Sequence, residues 1–272
     1  MPEIVPFKLK LTGETADNHQ FQGYDGYMAL AGFAWILSLV SNFSETGKIR
    51  QRGEFDGRHA VRAKALEEGS VVAEFLVYLQ NNPAQVFGAS VGAIGGGTLL
   101  YSLFNRVINR NLGETNPKTD AALDQLLRRR SGDVEALVAI SEAPIRQAHQ
   151  IIGNGASKVE ISGGFNILNT FDHSTRDYVL INAKDDTQIK KEFSVSAFNA
   201  NSGYGSVFDS DLGHVVPFSM SRETLRRYKG VFSWGLDEYV KESGKRISAT
   251  FTRILSMDGR AKRYIIISAT RG

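Results

Sequence analysis

Cysteine is absent from the 272 residues. Its absence excludes disulfides, thiolate metal sites, Fe–S clusters and a cysteine nucleophile, and it fits a reducing compartment. A dominant charge sign is missing too. The chain has 32 Lys+Arg against 29 Asp+Glu, a formal net charge of +3 with a pI near 9.0. Over this length that excess is too small to argue nucleic-acid binding by itself. The first ten residues, Met1–Lys10, lack the charged and then apolar pattern of a secretory signal, so a cytoplasmic protein is expected. Several chemistry-bearing motifs are also missing. There is no H-E-x-x-H, no G-x-x-x-x-G-K-[ST] and no G-x-G-x-x-G after a strand. His19, His59, His149, His173 and His214 have no metal-ligand spacing, and Asp209 and Asp211 lack the closing Glu of a calcium loop. No metal or cofactor is expected. Long-period repeats and low-complexity tracts are absent. What remains is a globular composition, 42% hydrophobic and 22% charged, long enough to bury a sizeable core.

The hydrophobic pattern predicts an α+β fold. Phe7, Leu9 and Leu11 alternate with Lys8 and Lys10, the period of a half-exposed strand. The stretch Gly23 to Phe43 has one charge, Asp25, and is apolar on nearly every side, as in a core helix or a membrane helix. Residues 61–65 and 71–79 alternate on either side of Glu67-Glu68-Gly69-Ser70 and read as a hairpin. Leu123, Leu126 and Leu127 mark a helix, and Ser131 can cap a second carrying Val134, Leu137, Val138 and Ile140, kinked or broken at Pro144. Beyond Ser157 short alternating segments predominate. Tyr178 and Leu180 read as a strand, as do Phe193 to Ala197, Val215 to Phe218, Ile247 to Phe251 and Tyr264 to Ser268. Short helices are predicted at Ser221–Tyr228 and Trp234–Val240, and a hairpin turn at Asp258-Gly259. The reading gives two domains. Residues 1–155 form a small sheet with helices, and residues 156–272 form a small β-barrel or curled sheet. The second part holds 17 Lys+Arg against 13 Asp+Glu, so the basic excess lies there.

The segment Phe75 to Asn105 contains no charge. Within it, Gly88, Gly92 and Gly96 are spaced by four. If residues 84–108 form one helix, the three share a face without side chains and a second helix can approach it closely. This predicts self-association into a homo-oligomer. Val86 to Phe104 is also close to the roughly 20 residues that span a bilayer, with Gly23 to Phe43 as a partner span. Against that stands the intervening loop, whose Lys48, Arg50, Arg52, Arg58, Arg62 and Lys64 would oppose the positive-inside rule. An inner-membrane association is therefore an option beside the cytoplasmic one.

Gly88-Ala89-Ser90-Val91-Gly92 matches G-x-S-x-G and resembles the serine loop of patatin-like phospholipases. That resemblance implies a Ser–Asp dyad of Ser90 and Asp258. In this sequence, however, the glycine run Gly95 to Gly97 follows the serine, whereas in that family the glycine-rich loop precedes it. Phe198-Asn199-Ala200-Asn201-Ser202-Gly203-Tyr204-Gly205 resembles a run in cold-shock domains, whose aromatics stack on single-stranded bases. It implies stacking by Phe198, Tyr204 and Phe208, with Lys190, Lys191, Arg222, Arg226, Arg227 and Lys229 near phosphates. The whole chain also resembles an uncharacterised group of bacterial proteins. That likeness rests on the opening Pro-Phe-x-Leu strand, the Glu-Glu-Gly-Ser hairpin, the glycine segment and Val216-Pro217-Phe218, and it implies no activity. The resulting expectation is a non-enzymatic, self-associating protein that recognises a partner with its β-rich half, in the manner of a membrane-associated defence or stress effector. The alternatives are a hydrolase using Ser90 and a single-stranded nucleic-acid binder.

Overall fold

The computed structural model describes residues 2–49, 60–64, 72–92, 95–114, 120–256 and 259–272. The chain forms two compact units. The first comprises Met1–Leu112, Pro117–Arg128 and Ile140–Leu180, and the second Gly113–Asn116, Arg129–Ala139 and Ile181–Gly272.

In the first unit, an antiparallel five-stranded sheet has the order β2-β3-β1-β4-β5. Its strands are β1 (Glu3–Thr12), β2 (Val61–Ala63), β3 (Val72–Leu79), β4 (Lys158–Gly163) and β5 (Asn166–Asp172). Period-two patterning sets the faces. Val5, Phe7, Leu9 and Leu11 are buried and the lysines between them are exposed. The expected pairing of β2 with β3 is present, with Val61 opposite Val77, while its Glu67 to Ser70 turn lies outside the described residues. On the buried face lie α1 (Gly23–Thr46) and the long helix Gly96–Asn111. Phe33 of α1 meets Phe7, Phe75 and Phe104, with ring centroids 5.2–6.4 Å apart. Burying each such ring contributes roughly 1.5–3 kcal/mol. Among the described residues one helix, α1, is long and apolar enough to cross a membrane, and 67% of its apolar window is buried inside the protein.

The single glycine-rich helix expected over 84–108 is not formed. The segment contains α2 (Pro83–Phe87), α3 (Ala89–Gly92) and α4 (Gly96–Asn111). Asn82 starts α2 with a reciprocal cap, its side chain accepting from Ala84 N–H at 2.8 Å. Gly88 then adopts φ 94°, ψ 162°, and Gly95 adopts φ 91°, ψ 155°. Essentially only glycine occupies that backbone region, and neither conformation can continue a helix. Helix α5 (Ala121–Ala148) is kinked at Arg130, one residue before the expected cap Ser131. Helix α6 (His173–Leu180) replaces the strand expected around Tyr178 and Leu180. Thr175 N–H donates to Asp172 Oδ1, and Thr175 Oγ1 accepts from Asp172 N–H, a local exchange that starts a helix.

The second unit is a closed five-stranded barrel, as the β-rich texture predicted. Its strands are β6 (Ala183–Phe198), β7 (Gly205–Asp209), β8 (His214–Met220), β9 (Ile247–Leu255) and β10 (Ala261–Arg271), in the order β10-β8-β7-β6-β9. All pairs are antiparallel except β8 with β10. One helix, α7 (Arg222–Val240), links β8 to β9 where two short helices were expected. Its Gly230 meets nothing within 4 Å, so the glycine sits on the solvent side and the helix runs through it. The first unit ends at Leu180 rather than at residue 155, because β4 pairs with β1 and carries β5 and α6 with it.

Candidate nucleic-acid interface

The barrel core is built from alternating inward residues. Phe193, Val195, Val207, Val216, Phe218, Ile247, Phe251, Tyr264 and Ile266 are buried together, and Phe232 of α7 closes one end. Gly205 permits the closure. A Cβ there would sit 2.3 Å from the Ala197 carbonyl oxygen and 2.5 Å from the Phe218 ring. The Gly-Tyr-Gly of the cold-shock-like run is therefore required by the barrel itself. Asn199 shapes the turn, with its Oδ1 accepting from Asn201 and Ser202 N–H at 3.0 Å and its Nδ2 donating to Asp133 at 2.9 Å.

The three aromatics of that run have separate fates. Phe198 is buried, its ring centroid 5.6 Å from Phe232 and 6.2 Å from Phe218. It has no face for a base, which corrects its assignment as a stacking residue. Burial alternates from Phe193 to Ala197 and fails at Phe198, the last residue of β6, where Ala197 and Phe198 are both buried. Tyr204 is half-buried. Phe208 is 39% exposed on the outside of β7, opposite Val215 of β8 and Ser194 of β6.

The cations divide as well. Lys191 is committed to the barrel's other end, where it binds the buried carboxylate of Asp209 and that of Asp211 at 2.6 Å. Tyr264 Oη donates to Asp209 at 2.6 Å. Burial pushes the Asp209 pKa up, but these hydrogen bonds outweigh it and hold the carboxyl below its usual value. Burial and Asp209 together push the Tyr264 phenol up. The group fixes the β7–β8 turn. Arg227 pairs with Glu223 at 2.7 Å. Arg226 and Lys229, with Arg222, are exposed on α7, and Lys190 is exposed on β6.

The remaining sequence candidates are scattered. Gly88 precedes α3, Gly92 is its last residue and Gly96 opens α4, so the three do not share a helix face. Gly96 and Gly97 have a different use. A Cβ on either would stand 2.7 Å from the Glu3 carboxylate, and Gly97 N–H donates to Glu3 Oε1 at 3.0 Å. Glu3 thus caps the start of α4, where the helix dipole favours a negative charge. Ser90 lies in α3 and is preceded by helix α2, not by the strand of a nucleophile elbow. Asp258 lies outside the described residues. Among the described residues no group of three His, Asp or Glu is placed to hold a metal ion.

Two buried polar groups were not anticipated. Glu45 accepts from the backbone N–H of Gln80 and Asn81 at 3.0–3.3 Å and fixes the turn before α2. His149, fully buried, stacks on Phe171 at 3.9 Å and donates from Nδ1 to Ile145 O at 2.7 Å. Burial lowers its pKa to about 4, so the ring is neutral. The sequence carried no signal for either, since both partners depend on tertiary placement.

Compared with known protein families, residues 7–180 match the family model described as a Domain of unknown function (DUF7946). No curated protein and no solved structure matches the chain.

Proposed function

We propose that this chain, which belongs to the DUF7946 family, binds single-stranded nucleic acid through its C-terminal barrel. The observation that carries the reading is the exposed Phe208 ring on the second strand of a closed five-stranded barrel. OB-type barrels share that architecture and bind oligonucleotides on the face of their second and third strands. Here those strands are β7 and β8, and Phe208 is set against Val215 between them. An aromatic ring on such a face stacks on any base, at roughly 1–3 kcal/mol per base. Charge supports the same reading. Residues 181–272 hold fifteen Lys+Arg against ten Asp+Glu, while the preceding 180 residues hold seventeen against nineteen. The test is titration of a fluorescent single-stranded oligonucleotide with the full chain and with Phe208→Ala. The substitution should weaken binding roughly 5- to 150-fold, the range that one stacked base implies. Equal affinity in the two proteins would remove Phe208 from the interface.

Self-association is a second reading, now resting on a different surface. In the first unit Phe165 is fully exposed in the β4–β5 turn, with Ile167 62% and Ile4 52% exposed. Large apolar side chains this exposed on one sheet unit are candidates for protein contact. A solution mass that rises with concentration above 29.9 kDa would support it, and a constant monomer mass would not.

A further inference from the structure

We infer that the solvent face of α7 is the phosphate-backbone anchor of this interface, carried by Arg222, Arg226 and Lys229. The inference rests on the single-strand reading above and assigns the charge contacts within it. The three side chains fall at i, i+4 and i+7, which places them on one side of the helix. All three positions are exposed, opposite the face that buries Phe232, Gly235 and Glu238. Among the described residues none of the three has a carboxylate partner. The nearby Glu223 is taken by Arg227, and Asp237 by Lys241.

The first of them works against the helix. Cations belong near a helix C-terminus, where the dipole is negative, and they destabilise the first turns. Here Arg222 is the first helical residue after the cap Ser221, and one acidic residue, Glu223, accompanies it in the first turn. Folding alone gives no reason to line three unpaired cations along one exposed face, the first of them at the positive end. A polyanion does, because it meets the side-chain charges and the helix dipole together. Nucleic acid is favoured over an anionic lipid surface by what adjoins the stripe. β8 runs from beside Phe208 directly into α7, with Val215, Pro217 and Ser219 half-buried along the way. Arg222 follows Val215 by seven residues, about 23 Å of extended chain at ~3.3 Å per residue. That reach suits an extended strand of a few nucleotides, near the lower end of the ~4–16 that one such barrel covers. One strand can then stack on Phe208 and lay its phosphates on α7.

The experiment compares the full chain with Arg222→Gln/Arg226→Gln/Lys229→Gln and with Phe208→Ala, measuring oligonucleotide affinity from low to high salt. For single strands each phosphate contact contributes about 0.7 to the slope of log affinity against log salt. The triple variant should flatten the slope by about 2, whereas Phe208→Ala should lower affinity and leave the slope unchanged. The triple variant should also melt no lower than the parent, since none of the three cations has a carboxylate partner to lose and Arg222 opposes the helix dipole. An unchanged slope, with binding retained, would overturn the anchor assignment and leave the single-strand reading standing. A parent that binds no oligonucleotide would overturn both. A lowered melting temperature would make the stripe structural. Loss of binding to phosphatidylserine vesicles with an unchanged oligonucleotide slope would give the face to a membrane and overturn the assignment.

Discussion

The sheet unit and the barrel unit treat charge in opposite ways. On the open face of the five-stranded sheet, Lys8 and Lys64 both bind Glu74, and Lys158 binds Glu160. Glu74 and Glu160 are held below their usual pKa by these lysine hydrogen bonds. The barrel neutralises its interior instead, with Lys191 and Tyr264 around Asp209, and leaves cations unpaired on its helix. The difference teaches where the net positive charge resides. Residues 181–272 carry fifteen Lys+Arg against ten Asp+Glu, and the unpaired stripe of Arg222, Arg226 and Lys229 is the part of that excess placed to meet a polyanion.

Removing the barrel's internal carboxylate should break the comparison most severely. Asp209→Ala leaves the buried Tyr264 hydroxyl without its partner and Lys191 with the exposed Asp211 alone, and breaking such a buried pair costs roughly 3–5 kcal/mol. Lys191 is partly exposed, which argues for the lower end. Chemical denaturation should show the loss, and a change below ~1 kcal/mol would mean that the cluster is ornamental.

The sheet unit's counterpart is His149, buried neutral rather than paired. Its folded pKa, about 4, lies below the ordinary 6.5 of an unfolded chain. The unfolded state therefore binds the extra proton first. Stability is fully present above pH 6.5, falls between 6.5 and about 4, and is lost below, by about 3 kcal/mol. Asp172 favours the charged ring and Arg176 opposes it, but burial dominates. His149→Phe retains a ring against Phe171 and should flatten that pH window in thermal melts. An identical pH profile would show that His149 is not the titrating group.

The smallest effect concerns the glycine segment. Glu3→Ala removes the carboxylate at the start of α4 and should cost about 1 kcal/mol. It should leave oligonucleotide binding unchanged, which separates the sheet unit's capping charge from the barrel's binding charge.

Much of the fold was legible in local periodicity. β1, the β2–β3 hairpin and most barrel strands follow period-two patterns in which Phe7, Phe75, Phe193 and Phe251 face inward. The misses have physical causes. Gly88 and Gly95 break a helix through backbone angles that the apolar pattern around them does not reveal. β4 joins the sheet by pairing with β1 about 150 residues earlier, a non-local choice that moved the unit boundary from 155 to 180. In the candidate site, β7 was not legible as a strand, because Gly205 and Ser206 hide its short apolar pattern, so the exposure of Phe208 emerged only with the barrel. The burial of Phe198 was not legible either, because the Phe218 and Phe232 rings that cover it come from other elements. The cations on α7 were visible as residues, but which were paired depended on the helix that placed Glu223 beside Arg227.

The central claim is that the barrel reads an unpaired strand rather than charge alone. The most direct measurement is competition between a single-stranded oligonucleotide and its own duplex for the full chain at one salt concentration. Stacking on Phe208 requires bases free of a duplex, so the single strand should win clearly. Equal or stronger binding of the duplex would contradict the account and reduce the interface to a basic surface.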